Sequence, residues 1–158
     1  MTKTADIFPT PSRHNLSLAD SPFVLRVGID VQTVSAVADS IQRHGRRYLD
    51  RVFSPQEVET CGGYDAEPHE LAPGLTARFC AKEAVLKALR PLNIIPEWRD
   101  IELVRMPGGW VGVNLVRGAK TLAEENHLLN FEISMSHDND IAMATAVAIG
   151  FRQPEDES

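Results

Sequence analysis

The alternation of apolar and polar residues predicts a β-sheet whose last strand has two very different faces. In "IAMATAVAIG", residues 141–150, large apolar side chains and Thr145 occupy one face, and alanines occupy the other. A period of two is typical of a β-strand. Because a face of alanines lets a helix or a second sheet approach closely, we expect this strand inside the sheet. The segments 23–30 ("FVLRVGID") and 131–137 ("FEISMSH") are also β-type.

Apolar residues at helical spacing predict three helices. The segment "VSAVADSIQRHG" has apolar residues three and four apart and is expected to end at Gly45. Residues 54–57, "SPQE", form a capping box with proline at the first helical position, which is a strong helix start. Residues 62–73 are rich in glycine, proline and charge and are interpreted as a loop. A long helix then covers 75–90 and stops at Pro91.

The second half of the chain predicts a hairpin and another helix. "RDIELVRM" and "WVGVNLV" are β-type runs joined by "PGG", and "KTLAEENHLL" is interpreted as helical. The fold class is therefore α+β, a mainly antiparallel sheet wrapped against a long helix. We expect an ordered domain over 23–150, a flexible N-terminal extension over 1–22 and an acidic flexible tail over 151–158.

Length, charge and cysteine content narrow the class of protein. The chain has 158 residues, enough for one domain with its own core, and a net charge of −6 that argues against general nucleic-acid binding. Two cysteines are too few for a secreted disulfide framework, so we expect a reducing cytoplasm. No apolar run is long enough to span a membrane, and no signal peptide is recognisable at the N-terminus.

Charged residues interrupt the long helix at the edge of its apolar stripe. Glu83 and Lys87 are four residues apart and therefore lie on the same side of a helix, next to Phe79 and Leu86. They could form an ordinary surface ion pair.

Two more polar residues come where predicted strands end. Asp30 closes the first strand, and it could simply cap the helix that follows. His137 closes the segment 131–137, and it could belong to a strand-end turn.

Asp30, Glu83 and Lys87 together suggest a diphosphate site. Two carboxylates from distant segments offer only oxygen ligands, which suits Mg²⁺, an ion that takes one or two carboxylates and completes its shell with phosphates and water. A lysine beside one ligand could meet phosphate charge that the metal leaves uncovered. The spacing does not establish that the segments meet.

A basic segment stands out in this acidic chain. Residues 43–51, "RHGRRYLDR", contain four arginines and one aspartate, a local charge of +3. The segment is either a solvated helix face or a docking surface that attracts an acidic partner by charge.

Five segments across roughly residues 26–148 form an ordered set: "VGIDV", "RVFSPQE", "ARFCAKEAVLKAL", "WRDIELVRMPGGW" and "ISMSHDNDIAMATAV". In this order they resemble the holo-acyl-carrier-protein synthases, the small phosphopantetheinyl transferases of fatty-acid biosynthesis. The resemblance implies that the 4′-phosphopantetheine arm of coenzyme A is moved to a serine of an acyl carrier protein, releasing adenosine 3′,5′-bisphosphate. It also implies homotrimers with active sites at the subunit interfaces.

The resemblance assigns roles to individual residues. It implies that Asp30 and Glu83 are the magnesium ligands and take part in catalysis, with a base removing the proton of the attacking serine. Lys87 matches the lysine that contacts coenzyme A phosphates, and we expect it to stabilise the transition state as a fixed charge. Arg78 and Lys82 match basic positions of the same helix motif. These two residues, with His137 of the S-x-S-H motif, are the further cofactor-binding candidates.

Two alternatives remain open at the level of sequence. The chain could bind carrier proteins without turnover, because Ala36 stands where the family commonly has a basic docking residue. It could also serve polyketide or peptide-synthase carriers. The retained Asp30, Glu83, Lys87 and His137 favour an active enzyme, and the compact single domain favours the fatty-acid type.

Overall fold

One antiparallel sheet of five strands forms one layer of the molecule. The computed structural model describes residues 21–152. The strands lie in the order β1-β5-β4-β3-β2, and every neighbouring pair is antiparallel. Their bounds are β1 (Phe23–Thr33), β2 (Ile101–Arg105), β3 (Val111–Leu115), β4 (Leu128–Asp138) and β5 (Ile141–Phe151). The predicted extension 1–22 lies almost entirely outside the described residues, as does the tail 151–158.

Helices cover one face of this sheet and form the second layer. They are α1 (Val34–His44), α2 (Arg46–Val52), α3 (Pro55–Thr60), α4 (Pro68–Leu89) and α5 (Arg117–Glu125). A single 3₁₀ turn, Trp98–Asp100, precedes β2. None of the helices between residues 21 and 152 is both long and apolar enough to cross a membrane. The predicted α+β architecture is confirmed, including the hairpin β2–β3.

The long helix α4 lies directly on the alanine face of β5. All four alanines of that face are at most 1% exposed, and β5 is an interior strand between β1 and β4, as predicted. The closest approach is on β1, where a Cβ added to Gly28 would lie only 1.9 Å from the carbonyl oxygen of Ala84. Only glycine allows the backbones of β1 and α4 to pack at this distance.

The start of α4 corrects one prediction. The segment 62–73 was expected to be a loop, but the helix begins at Pro68 and continues through Pro73. Proline is tolerated at a first helical position, whereas an internal proline removes a backbone hydrogen bond and usually breaks a helix. Here Leu71 and Leu75, on either side of Pro73, are fully buried in the core beneath α1, so packing outweighs the local preference.

The end of α5 corrects a second prediction. "KTLAEENHLL" was expected to be helical throughout, but the helix ends at Glu125 and β4 begins at Leu128. His127 takes a positive φ of 53°, which turns the chain out of the helix. Leu128 then packs in the core beside Phe131 and pairs with Gly150 of β5.

The outer face of the sheet, opposite the helices, is apolar along β1 and β5. Large side chains there are 41–63% exposed. They are Phe23, Leu25, Val27, Ile29, Val31, Ile141, Met143, Ile149 and Phe151. A contiguous apolar surface of this kind is typical of an interface.

Candidate active site

Asp30 faces the helix layer from the middle of β1. The strand alternates, so that odd-numbered residues lie on the outer face and Gly28, Asp30 and Gln32 turn toward α4. Asp30 pairs with Ala144 of β5, and its side chain is only 10% exposed. The Gln32 amide donates to Asp30 Oδ2 at 3.3 Å.

Glu83 of α4 brings a second carboxyl group to the same place. The residue is half-buried and directly precedes Ala84, whose backbone contacts Gly28 of β1. Burial raises the pKa of the Glu83 carboxyl, the negative charge of Asp30 raises it further, and Lys87 lowers it. The two predicted ligands are therefore electrostatic neighbours within one subunit.

Lys87 completes the group. Its ammonium donates to Asp30 Oδ1 at 2.9 Å and to the carbonyl oxygen of Ile29 at 2.7 Å, while its side chain remains 50% exposed. The ion pair on this helix face thus joins Lys87 to Asp30 of β1, rather than to Glu83 as in an ordinary surface pair. An exposed ammonium beside two carboxyl groups can turn to an incoming anion.

Asp30 does not cap helix α1. The helix begins after Thr33, whose side chain makes no capping hydrogen bond. Asp140, in the turn between β4 and β5, does this instead by accepting from Ser35 N at 2.7 Å and from Ser35 Oγ at 2.9 Å. Sequence reasoning missed Asp140, because the two residues are far apart in the chain and no local motif links them.

The side chain of Cys80, on α4, contacts the carboxyl group of Asp30. It is fully buried, and its thiol donates to the carbonyl oxygen of Ala142 at 3.4 Å. Burial, followed by the charge of Asp30, raises the pKa of the Cys80 thiol to about 12, so it stays protonated. Its position three residues before Glu83, on nearly the same helix face, was the available signal for this contact.

Lys82 lies apart from this group. Its side chain is 0% exposed and forms an ion pair with Glu57 Oε2 at 2.9 Å. Its ammonium also donates to the backbone carbonyls of Trp98 and Ile101. This burial gives no support to the expected contact with a cofactor, since every donor of the ammonium is used inside the protein.

Arg78 points away from the Asp30 group. It lies nine residues before Lys87, which places the two side chains on opposite sides of an α-helix. Its Nη1 donates to the carbonyl oxygen of Gly74 at 3.1 Å, and it lies beside the thiol of Cys61. Its Nε is buried with no hydrogen-bond partner among the described residues.

His137 shares the sheet face of Asp30 but not its contacts. It pairs with Ala142, which in turn pairs with Gln32, so His137 is exposed two strands away from β1. Strand spacing and rise place the Cα atoms of His137 and Asp30 about 12 Å apart. Within one subunit, the structure does not bring these two side chains together.

Comparison with known proteins identifies the family. The model of the 4′-phosphopantetheinyl transferase superfamily matches residues 26–146. The chain belongs to this superfamily. It is 35% identical to the holo-[acyl-carrier-protein] synthase of Gloeobacter violaceus, over 85% of this chain and 99% of that protein. The corresponding synthase of Moorella thermoacetica is 40% identical, over 78% of this chain and 93% of that protein.

A solved structure supports the same fold. The ACPS–CoA complex of Chronobacterium ammoniagenes superposes with a TM-score of 0.68 at 24% identity, covering 82% of this chain and 99% of that one. The family model and the synthase relatives confirm the resemblance inferred from the ordered motifs, and with it the predicted class of activity, a phosphopantetheinyl transferase. The α+β sheet with its long helix is the fold of the superfamily.

The carboxyl pair of this transferase fits a hard divalent cation. Among residues 21–152, no group of three or more histidine, cysteine, aspartate or glutamate side chains is arranged to hold a metal. Asp30 and Glu83 alone therefore offer an incomplete oxygen shell. Mg²⁺ accepts such a shell, because substrate phosphates and water occupy its other positions.

The basic segment of the transferase forms an exposed surface on α1 and α2. Arg43 lies 3.8 Å from Asp39, and Arg46 lies 3.4 Å from Asp50, so both have local partners. The other two arginines have no acidic partner in the described part of the chain. With a histidine and a tyrosine they line a recess of about 280 Å³, formed by His44, Arg47, Tyr48 and Arg51.

Proposed function

We propose that this chain transfers the 4′-phosphopantetheine group of coenzyme A to a serine of apo-acyl carrier protein, in a Mg²⁺-dependent step of fatty-acid biosynthesis in the cytoplasm. The observation that carries the proposal is the meeting of Asp30 and Glu83 beside the exposed ammonium of Lys87. The synthase names of the relatives support the choice of donor and acceptor.

Asp30 and Glu83 would hold the cation in this proposal. Their mutual repulsion supports the assignment, because two neighbouring carboxylates that share one ammonium gain from a divalent charge between them. When bound, Mg²⁺ neutralises charge on the diphosphate of coenzyme A and orients it for displacement. Gln32 and Cys80 would keep the Asp30 carboxyl in place, since both lie against it.

Lys87 acts on the leaving group. Its flexible, half-exposed side chain can exchange Asp30 for a phosphate oxygen without being extracted from a core. The carrier serine oxygen attacks the phosphorus next to the pantetheine arm, forming a new O–P bond while the bond to the bridging diphosphate oxygen breaks. The serine proton leaves to water or, through water, to a carboxylate, and adenosine 3′,5′-bisphosphate departs. A fixed positive charge at that oxygen favours the transition state.

Arg78 and His137 keep more distant roles as predicted contacts to coenzyme A. Neither reaches the Asp30 group within one subunit, so we assign them to the nucleotide end of the molecule or to a neighbouring copy's site. Lys82 is left out of the binding site, because its ammonium is fully buried and bound.

The decisive test replaces Glu83 by glutamine. Glu83→Gln keeps the size of the side chain but removes one charge, and we expect transfer to fall by at least about 100-fold. The assay follows the mass increase of an apo-acyl carrier protein incubated with coenzyme A and Mg²⁺. Glu124→Gln is the matched control, because Glu124 is an exposed glutamate whose lysine partner is 3.9 Å away.

The outcomes separate the proposal from a carrier-binding protein without turnover. No mass increase with wild type and any of several apo-carriers would refute the enzyme. Normal transfer by Glu83→Gln, or by wild type in the presence of EDTA, would refute the metal site. Comparing fatty-acid, polyketide and peptide-synthase carriers in the same assay identifies the preferred acceptor.

The recess on α1 and α2 would dock the carrier. Carrier proteins of this class are acidic, and the unpaired guanidinium groups of Arg47 and Arg51 offer the complementary charge. Arg47→Glu with Arg51→Glu should raise the KM for carrier by about 10-fold or more and leave the KM for coenzyme A unchanged. Lys120→Glu, on α5, is the control. An unchanged KM for carrier would place docking elsewhere.

We also propose the homotrimer that the resemblance implies. The apolar outer face along β1 and β5 supports self-association, because exposed apolar surfaces of this extent are typical of interfaces. Val27 lies in the middle of this face and is 57% exposed. Val27→Lys should produce monomers in light scattering coupled to size exclusion. A monomeric wild type would contradict the trimer.

A further inference from the structure

An ion pair with both side chains fully buried lies beside the proposed site without belonging to it. Lys82 and Glu57 are both 0% exposed, and their charged atoms are 2.9 Å apart. Buried charges are rare and costly unless they are fully paired. The burial of these two charged side chains therefore indicates a role, and the proposed reaction does not assign one to them.

Glu57 connects two elements before it meets the lysine. Its Oε2 accepts from Ser54 N at 2.7 Å, which closes the capping box of α3. Its Oε1 accepts from Leu103 N at 3.1 Å, so α3 is bound to β2. Both carboxylate oxygens are thus held in position by backbone donors.

Lys82 connects α4 to the same two elements. Besides Glu57, its ammonium donates to the carbonyl oxygen of Trp98 at 3.1 Å and to that of Ile101. An ammonium has three donors, and all three are used. The Lys82 ammonium therefore connects the middle of α4 to α3, to the 3₁₀ turn and to the start of β2.

Ala84, which follows Glu83 in α4, is also held in place by packing. Ala84 packs its backbone against Gly28 of β1 so closely that a Cβ would not fit between them. Consecutive helix residues point about 100° apart, so Lys82 and Ala84 hold α4 on the two flanks of Glu83. Two contacts on opposite flanks resist rotation of the helix about its axis, which one contact cannot do.

Rotation matters because Glu83 projects from the helix. With a carboxyl group about 6 Å from the axis, a turn of about 20° would move it by about 2 Å. A ligand group needs to be held within about 0.5 Å of its productive position. A small rotation would therefore separate Glu83 from Asp30.

We propose that Lys82 and Glu57 are positioning residues, which fix the rotation of α4 so that Glu83 faces Asp30, and that Lys82 makes no contact with coenzyme A. The proposal rests on the transferase function proposed above. A substitution of Lys82 or Glu57 should therefore weaken metal binding and slow turnover, although neither residue touches the substrate. Coenzyme A should still bind normally at a saturating metal concentration.

The experiment compares Lys82→Met with the double variant Lys82→Met/Glu57→Gln. Methionine keeps the length of the lysine stem, and the double variant leaves no unpaired charge in the core. Arg117→Met is the control, because Arg117 pairs at 2.7 Å with Asp100, another buried carboxylate, which accepts from Glu97 N and caps the 3₁₀ turn. Mn²⁺ binding is followed by electron paramagnetic resonance, and transfer is measured across Mg²⁺ concentrations.

We expect both Lys82 variants to bind Mn²⁺ at least about 10-fold more weakly than wild type, and to lose at least about 10-fold in kcat. The KM for coenzyme A at saturating Mg²⁺ should stay unchanged, and Arg117→Met should match wild type in every readout. Circular dichroism confirms folding. If neither Lys82 variant folds, Glu57→Gln alone takes their place, with the same direction expected.

Two results would overturn the proposal. Wild-type Mn²⁺ binding and kcat in a folded variant would remove the positioning role. A raised KM for coenzyme A with unchanged Mn²⁺ binding would make Lys82 a direct contact. A failure of the transferase function itself is distinguishable, because wild type would then show no transfer, whereas these results all require an active wild-type enzyme.

Discussion

Two lysines five residues apart on α4 have opposite environments. Lys82 is 0% exposed and uses all its donors inside the protein, whereas Lys87 is 50% exposed and holds an aspartate at the edge of the site. The same type of side chain on the same helix is thus a buried structural contact at one position and an accessible charge at the other. The difference shows that burial, rather than residue type or motif, decides which ammonium can meet a substrate.

The energetics of the two pairs follow from their surroundings. Burial lowers the pKa of Lys82, and the charge of Glu57 opposes this shift. Removing one partner of such a pair leaves an uncompensated charge in the core. The pair of Lys87 with Asp30 is expected to contribute less, because its ammonium is half-exposed and already meets water.

The largest contrast is expected in stability. Lys82→Met should lower the free energy of unfolding by about 3–5 kcal/mol, and Lys87→Met should change it by less than about 1 kcal/mol. Urea unfolding of both variants, followed by circular dichroism, measures the difference. Equal losses would mean that the burial of Lys82 does not distinguish the two lysines.

The next effect concerns the contact that brings α4 to β1. Gly28→Ala places a methyl group against the carbonyl of Ala84, so we expect a loss of about 1–3 kcal/mol in stability. The helix must also move, which separates Lys87 and Glu83 from Asp30 and should lower transfer more than stability alone explains. Full transfer activity in the folded variant would show that this close approach is not needed for the site.

Lys87 should matter for turnover without mattering for folding. Lys87→Gln is expected to lower kcat by about 10- to 100-fold, since it removes the fixed charge at the leaving group. Its urea midpoint should stay close to that of wild type. Lys120→Gln, which removes another exposed helix lysine, is the control in the carrier mass-shift assay. A kcat equal to that of the control would contradict the proposed role.

The smallest predicted effect is a pH dependence of folding stability. It arises from the titration of Glu83, which lies between the two lysines in α4. Because the pKa of Glu83 is raised in the folded protein, the folded state holds this proton more tightly than the unfolded chain. The resulting stability is present at low pH and is lost as pH rises through the folded pKa.

In EDTA, Glu83→Gln should therefore have a slightly higher Tm than wild type near pH 7. The advantage should disappear below about pH 4, where the glutamate is protonated in both states. Thermal scans at the two pH values test this. A lower Tm for the variant at pH 7 would show that Lys87, rather than Asp30 and burial, dominates the surroundings of Glu83.

Much of the proposed site could be predicted because its residues break local patterns. Asp30 interrupts the apolar run of β1, which the sequence was expected to end there but which continues to Thr33, and Glu83 and Lys87 interrupt an apolar helix. Each is therefore visible without knowledge of its neighbours. Lys82 looked the same in sequence, but its partner Glu57 is 25 residues away and was interpreted only as a helix cap. A local pattern cannot tell which of two adjacent charges will be covered by another element.

The sequence by itself determined the periodicity of the strands, the alanine face of β5, the capping box of α3 and the ordered motifs of the superfamily. These are local properties, set by propensity, spacing and side-chain chemistry. Only the tertiary structure decided that α4 starts at Pro68, that Asp140 rather than Asp30 caps α1, and that Lys82 is buried while Lys87 reaches Asp30. These outcomes depend on which surfaces exclude water, and exclusion of water is a property of packed elements rather than of any one segment.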